Sequence, residues 1–195
     1  MPETTILLVR HGETDWNAAR RIQGQTNSPL NDRGRAQANA LADELAGEPI
    51  TAVYSSDLDR ARETAEILAG RLDLPVVVDP ALRERNFGSW EGKTVDELEA
   101  RWPGAWARWR DGNEGEGDVE DHLTLAARVR DAVHRLAAAH PGERILVVAH
   151  GGAMRVILMD AEGLPYPEER RRQPPIANCD VSRIAVLDGT VRALD

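Results

Sequence analysis

Two histidines stand directly after short apolar segments, where they could meet at one edge of a sheet. His11 follows TILLVR at residues 5–10, and His150 ends RILVVAH at residues 144–150. Aliphatic and β-branched runs of this length predict buried strands, and ligands of open α/β sheets bind at the carboxyl ends of strands. Two imidazoles beside the guanidinium of Arg10 would suit a phosphoryl group, because guanidinium binds phosphate oxygens in a two-pronged manner.

The glycines that follow the histidines support this interpretation. Gly12 and Gly151 are expected to let the backbone turn sharply and approach a ligand, and Gly151 also opens a helix whose free N–H groups favour an anion. A metal site is the alternative for paired histidines. Such sites usually recruit carboxylates or cysteines at close spacing, as in HExxH, and no such grouping occurs here. We therefore expect no metal and no cofactor.

The elements that must position these residues alternate between strands and helices. Such alternation predicts one α/β domain over residues 1–195, with three α/β/α layers and a mainly parallel central sheet. A capping box at Thr94 and Glu97 opens a short helix, and a long helix over residues 121–139 is expected to bury one side. The elements expected from the sequence are strands at 5–10, 51–56, 74–79 and 144–150, a hairpin around 188–189, and helices at 31–46, 57–72 (capped by Ser56 or Asp57), 121–139 and from 151; the buried side of the long helix is expected to carry Leu123, Ala127, Val129, Val133 and Leu136.

Composition limits the classes of partner. Apolar residues make up 42% of the 195 residues and charged residues 29%, the balance of a globular protein. The net charge of −9 disfavours nucleic acid and anionic membranes as partners, and no apolar run reaches the ~20 residues of a membrane span. Cys179 is the only cysteine, so a reducing cytoplasm is the expected location.

Five segments resemble the signatures of one family and occur in its order. They are VRHGETDWN (9–17), QGQTNSPLNDRGRAQA (23–38), YSSDLDRARETA (54–65), LRERNFGSWEG (82–92) and VVAHGGAMR (147–155). Together they are similar to the histidine phosphatase superfamily, the phosphoglycerate-mutase-like enzymes. The resemblance covers most of the chain, and it implies the phosphoglycerate-mutase-like fold with a helical cap insertion at about residues 93–120.

The resemblance also implies roles for individual residues. His11 matches the nucleophile that becomes phosphohistidine, Arg10 and Arg60 match the phosphate-binding arginines, and His150 matches the second histidine, which hydrogen-bonds the phosphoryl group. Glu84 matches the acid that protonates the leaving oxygen and later activates water. Further pocket ligands are expected at Asn17, Gln23, Gly24 and the backbone of Gly151.

Several of these residues have alternative explanations. Arg60 could be a solvated surface charge, and Glu84 could be a surface glutamate paired with Arg83 or Arg85. Glu13 or Asp15 would be weaker candidates for the acid. Other residues have plain expectations: His122, His134 and His140 on the surface, and Trp102, Trp106 and Trp109 on one helix face that packs into the core or shapes access to the pocket.

The same chemistry serves a phosphatase, which gives the phosphoryl group to water, and a mutase, which returns it to another hydroxyl. The short chain, Gln25 where the mutases usually place tryptophan, Phe87 in place of a tyrosine and a misplaced Lys93 favour a phosphatase acting on a small phosphorylated metabolite. A cofactor-dependent phosphoglycerate mutase is the alternative, and an inactive phosphate-binding module is a third. Residues 118–121 depart from a Gly-Gly-Glu-Ser motif of the phosphatases, which leaves the substrate open, and the sequence also leaves a homodimer open.

Overall fold

The computed structural model describes residues 2–113, 115, 117–169 and 172–194. Within these residues one six-stranded sheet forms the central layer, in the order β3-β2-β4-β1-β5-β6. The first four strands in that order are parallel. β5 runs antiparallel to β1, and β6 pairs antiparallel with β5 as the second strand of a hairpin, so the sheet is mainly parallel as expected. The strands are β1 (Thr4–Arg10), β2 (Ala52–Ser55), β3 (Val76–Val78), β4 (Arg144–Ala149), β5 (Val181–Leu187) and β6 (Thr190–Ala193).

Helices cover both faces of the sheet. The helices α2 and α3 pack on one face and α6 and α7 on the other, which confirms the three-layer α/β/α architecture. This explains why β1 is apolar without alternation: consecutive residues Ile6 to Val9 are at most 2% exposed because both sides are covered. The helices are α1 (Asp15–Ala18), α2 (Asp32–Leu45), α3 (Asp59–Leu72), α4 (Val95–Arg101), α5 (Ala105–Arg110), α6 (His122–Ala139) and α7 (Gly151–Ala161).

The register of β1 against β4 determines where the two histidines lie. Arg10 is the partner of Ala149, and the backbone N–H of His11 donates to the Ala149 carbonyl at 3.1 Å. The residues that follow each strand, His11 and His150, are therefore neighbours at the carboxyl edge of the sheet, as the sequence predicted.

The capping residues of two helices are the predicted ones, and that of a third is not. Asn31 caps α2 by accepting from the Gly34 N–H, and Thr94 caps α4 in the predicted capping box. The expectation that Ser56 or Asp57 caps α3 was wrong. The residue before α3 is Leu58, which has no capping side chain, while the Asp57 carboxylate is occupied by an ion pair with Arg83.

The buried side of α6 also differs from the expected one. Leu123 is 64% exposed and Ala127 is exposed, so two of the five residues assigned to the core were wrong. The helix begins at the Asp121 cap, and the stripe that then faces the sheet repeats every three to four residues. It consists of Leu125, Ala126, Val129, Ala132, Val133, Leu136 and Ala137.

The two short helices α4 and α5 form a satellite of the main core. Trp109 is 5% exposed and packs with Phe87, Trp90 and Leu98, and Trp102 and Trp106 pack against the same cluster. The expectation that the three tryptophans share one helix face was wrong, because the chain turns at Gly104: Trp102 caps the end of α4, whereas Trp106 and Trp109 lie on α5. Their expected packing role is confirmed. The expected extent of the cap, about residues 93–120, stays a prediction, and its Glu114 and Glu116 lie outside the described residues.

None of the helices in the described ranges combines the length with the apolar character that a bilayer crossing requires.

Candidate active site

His11 is buried at the sheet edge with a defined tautomer. Its Nδ1 lies 2.7 Å from the Gly12 carbonyl oxygen, which only accepts hydrogen bonds, so Nδ1 carries the proton. Burial lowers the pKa of His11 well below its usual value, and the nearby guanidinium groups of Arg60 and Arg10 lower it further. The ring is therefore neutral, with the lone pair on Nε2, and a neutral imidazole of this kind is a competent nucleophile.

Around His11 stand polar groups that are buried without a partner among the described residues. The His150 ring lies 5.2 Å from the His11 ring, centroid to centroid, and both of its nitrogens are unpartnered, as are the Nε atoms of Arg10 and Arg60. The pKa of His150 is also lowered well below its usual value, by burial first and then by Arg60. Buried donors without partners are costly, and an anion at this point would bind them.

Arg60 belongs to the site and is not a surface charge. Its side chain is fully buried, and burial lowers its pKa to about 10. Its two terminal nitrogens donate to the carbonyls of Gly24, at 2.6 Å, and Thr26, at 2.9 Å. The loop at 23–26 thus fixes the guanidinium and leaves Nε for a ligand.

Glu91, which the sequence did not single out, holds that loop from behind. Its carboxylate accepts from the backbone N–H groups of Gln25 and Thr26, both at 2.9 Å, and of Phe87 at 3.0 Å. A side chain at Gly24 would collide with this carboxylate, and Gly24 has a φ of +56°. Gly24 is therefore required by the loop, and Glu91 shapes the side of the cavity that contains Arg60 indirectly.

Gly12, which follows His11, is needed for a different reason from the one expected. A Cβ on Gly12 would lie 2.6 Å from the carbonyl oxygen of Gly34 in the first turn of α2. The glycine pair permits the loop after β1 to pack directly on α2, so close packing, rather than an unusual backbone turn, explains Gly12.

A segment before β5 holds Arg10 and His11 in place. The backbone carbonyl of Arg10 accepts from the Cys179 N–H at 2.9 Å. The Nη1 atom of the Arg10 side chain donates to the Ile176 carbonyl at 2.5 Å. The Asn178 amide donates to the His11 carbonyl at 2.8 Å. No motif pointed to Asn178, because it lies far along the chain from His11, in a segment that resembles an ordinary loop.

Asn17 and Gln23 line the cavity with their amide groups oriented by the same neighbourhood. The Oδ1 of Asn17 accepts from the Thr14 N–H at 3.2 Å and from Asn178 at 3.3 Å, and the Oε1 of Gln23 accepts from the Thr14 hydroxyl at 3.0 Å. Because both oxygens are occupied, both amide nitrogens remain for a ligand.

Glu84 lies across the cavity and is held by backbone donors. Its Oε1 accepts from the Arg85 N–H at 2.8 Å, and its Oε2 accepts from the Gly152 N–H at 3.0 Å, in the first turn of α7. The expected alternative, an ion pair with Arg83 or Arg85, is not what the structure contains. The neighbour that matters is Gly152, one residue beyond the predicted Gly151. Glu13 instead contacts Asn31 and Arg33.

Two adjoining cavities share Arg10, Glu84 and Phe87. The first, of about 290 Å³, contains His11, Asn17, Gln23, Gly24 and Arg60. The second, of about 230 Å³, lies on the α7 side of Glu84 and contains Gly151, Gly152, Trp109, Arg155 and Tyr166. Within the described ranges, no three histidine, cysteine or acidic side chains are grouped in a way that could hold a metal ion.

His122 is not on the surface, contrary to expectation. It is 2% exposed and stacks on Trp109, and its Nδ1 lies 3.0 Å from Nη2 of Arg85. As the first residue of α6 it faces the satellite core instead of solvent. His134 and His140 are half-buried.

The residues that replace the Gly-Gly-Glu-Ser motif line neither cavity. Asp118 accepts from the Ser89 N–H at 2.8 Å, and Glu120 is paired with Arg128. The difference from the Gly-Gly-Glu-Ser motif therefore affects the hydrogen bonds that hold the loop around residue 86, and it does not change the residues that line the cavities.

The fold and the site together define an α/β protein in which two buried histidines and two arginines, with polar atoms that lack partners among the described residues, meet at the carboxyl edge of the sheet. The family model of the histidine phosphatase superfamily (branch 1) matches residues 6–194. The chain belongs to that superfamily.

Known proteins of both activities are similar to the chain. A probable phosphoglycerate mutase GpmB of Photorhabdus laumondii is 39% identical over 187 residues, covering 92% of this chain and 83% of that protein. Bacillus stearothermophilus YhfR is 34% identical with a TM-score of 0.91, covering 97% of this chain and 95% of that one. A mycobacterial glucosyl-3-phosphoglycerate phosphatase in complex with VO3 is 32% identical with a TM-score of 0.88, covering 96% and 95%.

Proposed function

We propose that the chain is a metal-independent phosphatase of small phosphate monoesters that works through a phosphohistidine on His11. The observation that carries this proposal is the neutral His11 ring, with its lone pair on Nε2, beside the unpartnered donors of Arg10, Arg60 and His150. Phosphoryl transfer needs a positioned nucleophile and fixed donors for the charged oxygens, and these residues supply both.

In the first step, Nε2 of His11 attacks phosphorus and the bond from phosphorus to the ester oxygen breaks. Protonated Glu84 gives its proton to the leaving oxygen. In the second step, water attacks the phosphohistidine, Glu84 takes a proton from that water, and the bond from phosphorus to Nε2 breaks. Phosphate leaves and His11 is again neutral. One carboxyl group thus serves as acid and then as base.

Arg10, Arg60 and His150 act on the transferring group without reacting. Their fixed donors meet the peripheral oxygens of the phosphoryl group in a site from which much water is excluded, where such interactions are strongest. Asn17 and Gln23 add amide donors from the same side. Glu91 and Asn178 act through the residues they position.

Two side chains favour a phosphatase over a mutase. The only lysine, Lys93, bonds the Ser89 carbonyl on the exposed side of the cap and lines neither cavity, so it does not supply the substrate-binding lysine of the mutases. Gln25 stands where those enzymes place tryptophan and donates to the Glu84 carbonyl at 3.1 Å. The phosphatase named among the similar structures agrees with this choice.

A phosphoglycerate mutase is the second candidate, because the GpmB proteins are named as probable mutases. The two outcomes separate in one assay. Incubation with 3-phosphoglycerate and its bisphosphate primer yields 2-phosphoglycerate if the chain is a mutase and inorganic phosphate if it is a phosphatase.

The test of the proposed function is hydrolysis of p-nitrophenyl phosphate in EDTA by the wild type, His11→Ala and the matched control His134→Ala. We expect wild-type and control activity to survive EDTA, and His11→Ala to lose on the order of 10³-fold or more in kcat. Acid quenching of the wild type with labelled substrate should trap a phosphoenzyme that His11→Ala lacks. Full activity of His11→Ala would show that another residue is the nucleophile.

A further inference from the structure

The second cavity lies where the leaving group must go. In-line attack by His11 sends the ester oxygen away from the nucleophile and towards the acid, Glu84. The second cavity contains Glu84 and the Gly152 backbone that holds it, but neither His11 nor Arg60 lines it. The alcohol part of a bound phosphate ester would therefore extend into this cavity, while the phosphoryl group stays in the first.

Arg155 is the one guanidinium of this cavity whose donors are largely uncommitted among the described residues. Its Nε is buried without a hydrogen-bond partner, its recorded bond is a long one of 3.4 Å to the Pro174 carbonyl, and no carboxylate pairs with it within the described ranges. The other guanidinium groups are engaged: Arg85 donates to Tyr166 at 2.7 Å, and Arg10 donates to Ile176.

The position of Arg155 on α7 sets the spacing of the subsite. It follows Gly152 by three residues, and residues three apart lie on the same helix face. Arg155 and Gly152, whose N–H holds Glu84, accordingly line the same cavity. The far end of a short alcohol part would lie beside Arg155 while the ester oxygen stays beside Glu84. Phe87, Trp109 and Ile176 give the cavity apolar walls.

We propose that Arg155 binds a carboxylate on the alcohol part of the substrate, so that the preferred substrates are phosphate esters of short hydroxy acids. This inference rests on the proposed function and names its substrate class. A carboxylate suits the subsite better than a second phosphate, because one uncommitted guanidinium matches a single negative charge.

The test compares two esters that differ only in this group: 3-phosphoglycerate and glycerol 3-phosphate, in which a hydroxymethyl replaces the carboxylate. Released phosphate is measured for the wild type, Arg155→Met, Arg155→Lys and the control Arg71→Met, which changes an exposed arginine at the far end of α3. We expect wild type and Arg71→Met to favour 3-phosphoglycerate in kcat/KM by roughly 10- to 100-fold. Arg155→Met should bring the ratio to within about threefold of unity, and Arg155→Lys should keep part of it.

The outcomes separate the inference from the proposed function. Hydrolysis of p-nitrophenyl phosphate without any wild-type preference for the carboxylate, or with a preference that survives in Arg155→Met, overturns the inference alone. A wild type that hydrolyses none of the three esters contradicts the proposed function, and the inference falls with it. Because the ratio is measured within each variant, a general loss of activity does not affect it.

Discussion

At the scale of residues, the site depends on two histidines that remain neutral. Both rings are buried beside the guanidinium groups of Arg10 and Arg60, and burial and these charges lower both pKa values well below the ordinary value of 6.5. A protonated His11 would have no lone pair for attack. The arginine-rich environment proposed to bind phosphate thus also keeps the proposed nucleophile unprotonated.

This predicts the acid side of the pH profile. Because the His11 pKa is lowered, kcat/KM should not fall with a pKa near 6.5 but only further into acid. The phosphate group of the substrate also ionises, with a second pKa of about 6 for an alkyl phosphate. Comparing two esters whose second pKa values differ separates this ionisation from that of His11. A limb near 6.5 that is the same for both esters would contradict a lowered His11 pKa.

The sequence motifs identified the candidate site residues but not the residues that hold them in place. His11, Arg10, Arg60, Glu84 and His150 stand in short contiguous patterns. Glu91 and Asn178 act on loops 65 and 167 residues away in the chain, and local patterns carry no information about such distant contacts. For the same reason the buried position of His122, which depends on the packing of α6 against the satellite core, was not predicted.

At the scale of elements, α7 contributes through its first turn. The N–H of Gly152 holds the Glu84 carboxylate, and a Cβ at Gly152 would collide with that carboxylate, whereas a Cβ at Gly151 would lie an ordinary 3.7 Å from Nε of Arg10. Both glycines are helical residues without a positive φ. The two positions therefore differ in what they contact and not in backbone conformation.

Gly152→Ala should therefore displace Glu84 and lower kcat on the order of 10²-fold, the usual contribution of a general acid, while Gly151→Ala causes a much smaller change. Both variants should be at least as stable as the wild type in thermal unfolding, since alanine favours helix. Equal effects of the two substitutions on kcat would show that Gly152 does not position the acid.

Elements marked by a clear local sequence pattern were predicted well, whereas features that depend on tertiary packing were not. The uninterrupted apolar runs of β1 and β4 and the Asp188-Gly189 turn of the hairpin are local signals, and all three elements are present. The stripe of α6 was misassigned because alanine and leucine occur on both of its sides. The strand expected at 74–79 is limited to Val76–Val78, as it lies at the sheet edge and pairs on one side.

At the scale of the whole molecule, a chain of net charge −9 contains a cavity lined by several arginines. Such a distribution repels polyanions in general and focuses a small anion into one cleft. The same arrangement costs stability, because cationic groups and two neutral histidines are buried together without an anion.

The stability should accordingly depend on pH. His11 and His150 have pKa values lowered in the folded state, so the unfolded chain binds more protons below 6.5, and the free energy of unfolding should fall as the pH falls from about 6.5 towards 5. His150→Gln should flatten this slope, whereas His134→Gln should not, as measured by urea unfolding. If the unfolding free energy of His150→Gln depends on pH as steeply as that of the wild type, the lowered pKa of His150 is contradicted. Separately, inorganic phosphate should stabilise the wild type by mass action.

The order of the sheet has a consequence for the protein while it is being synthesised. β1 is made early, but both of its neighbours, β4 and β5, come from residues 144–187, and so does Asn178, which holds the His11 carbonyl. The proposed nucleophile leaves the ribosome long before the strands and the amide that complete its site. If the chain is the proposed phosphatase, a growing chain therefore cannot yet hydrolyse phosphate esters, and hydrolysis begins only when the last strands have docked beside β1.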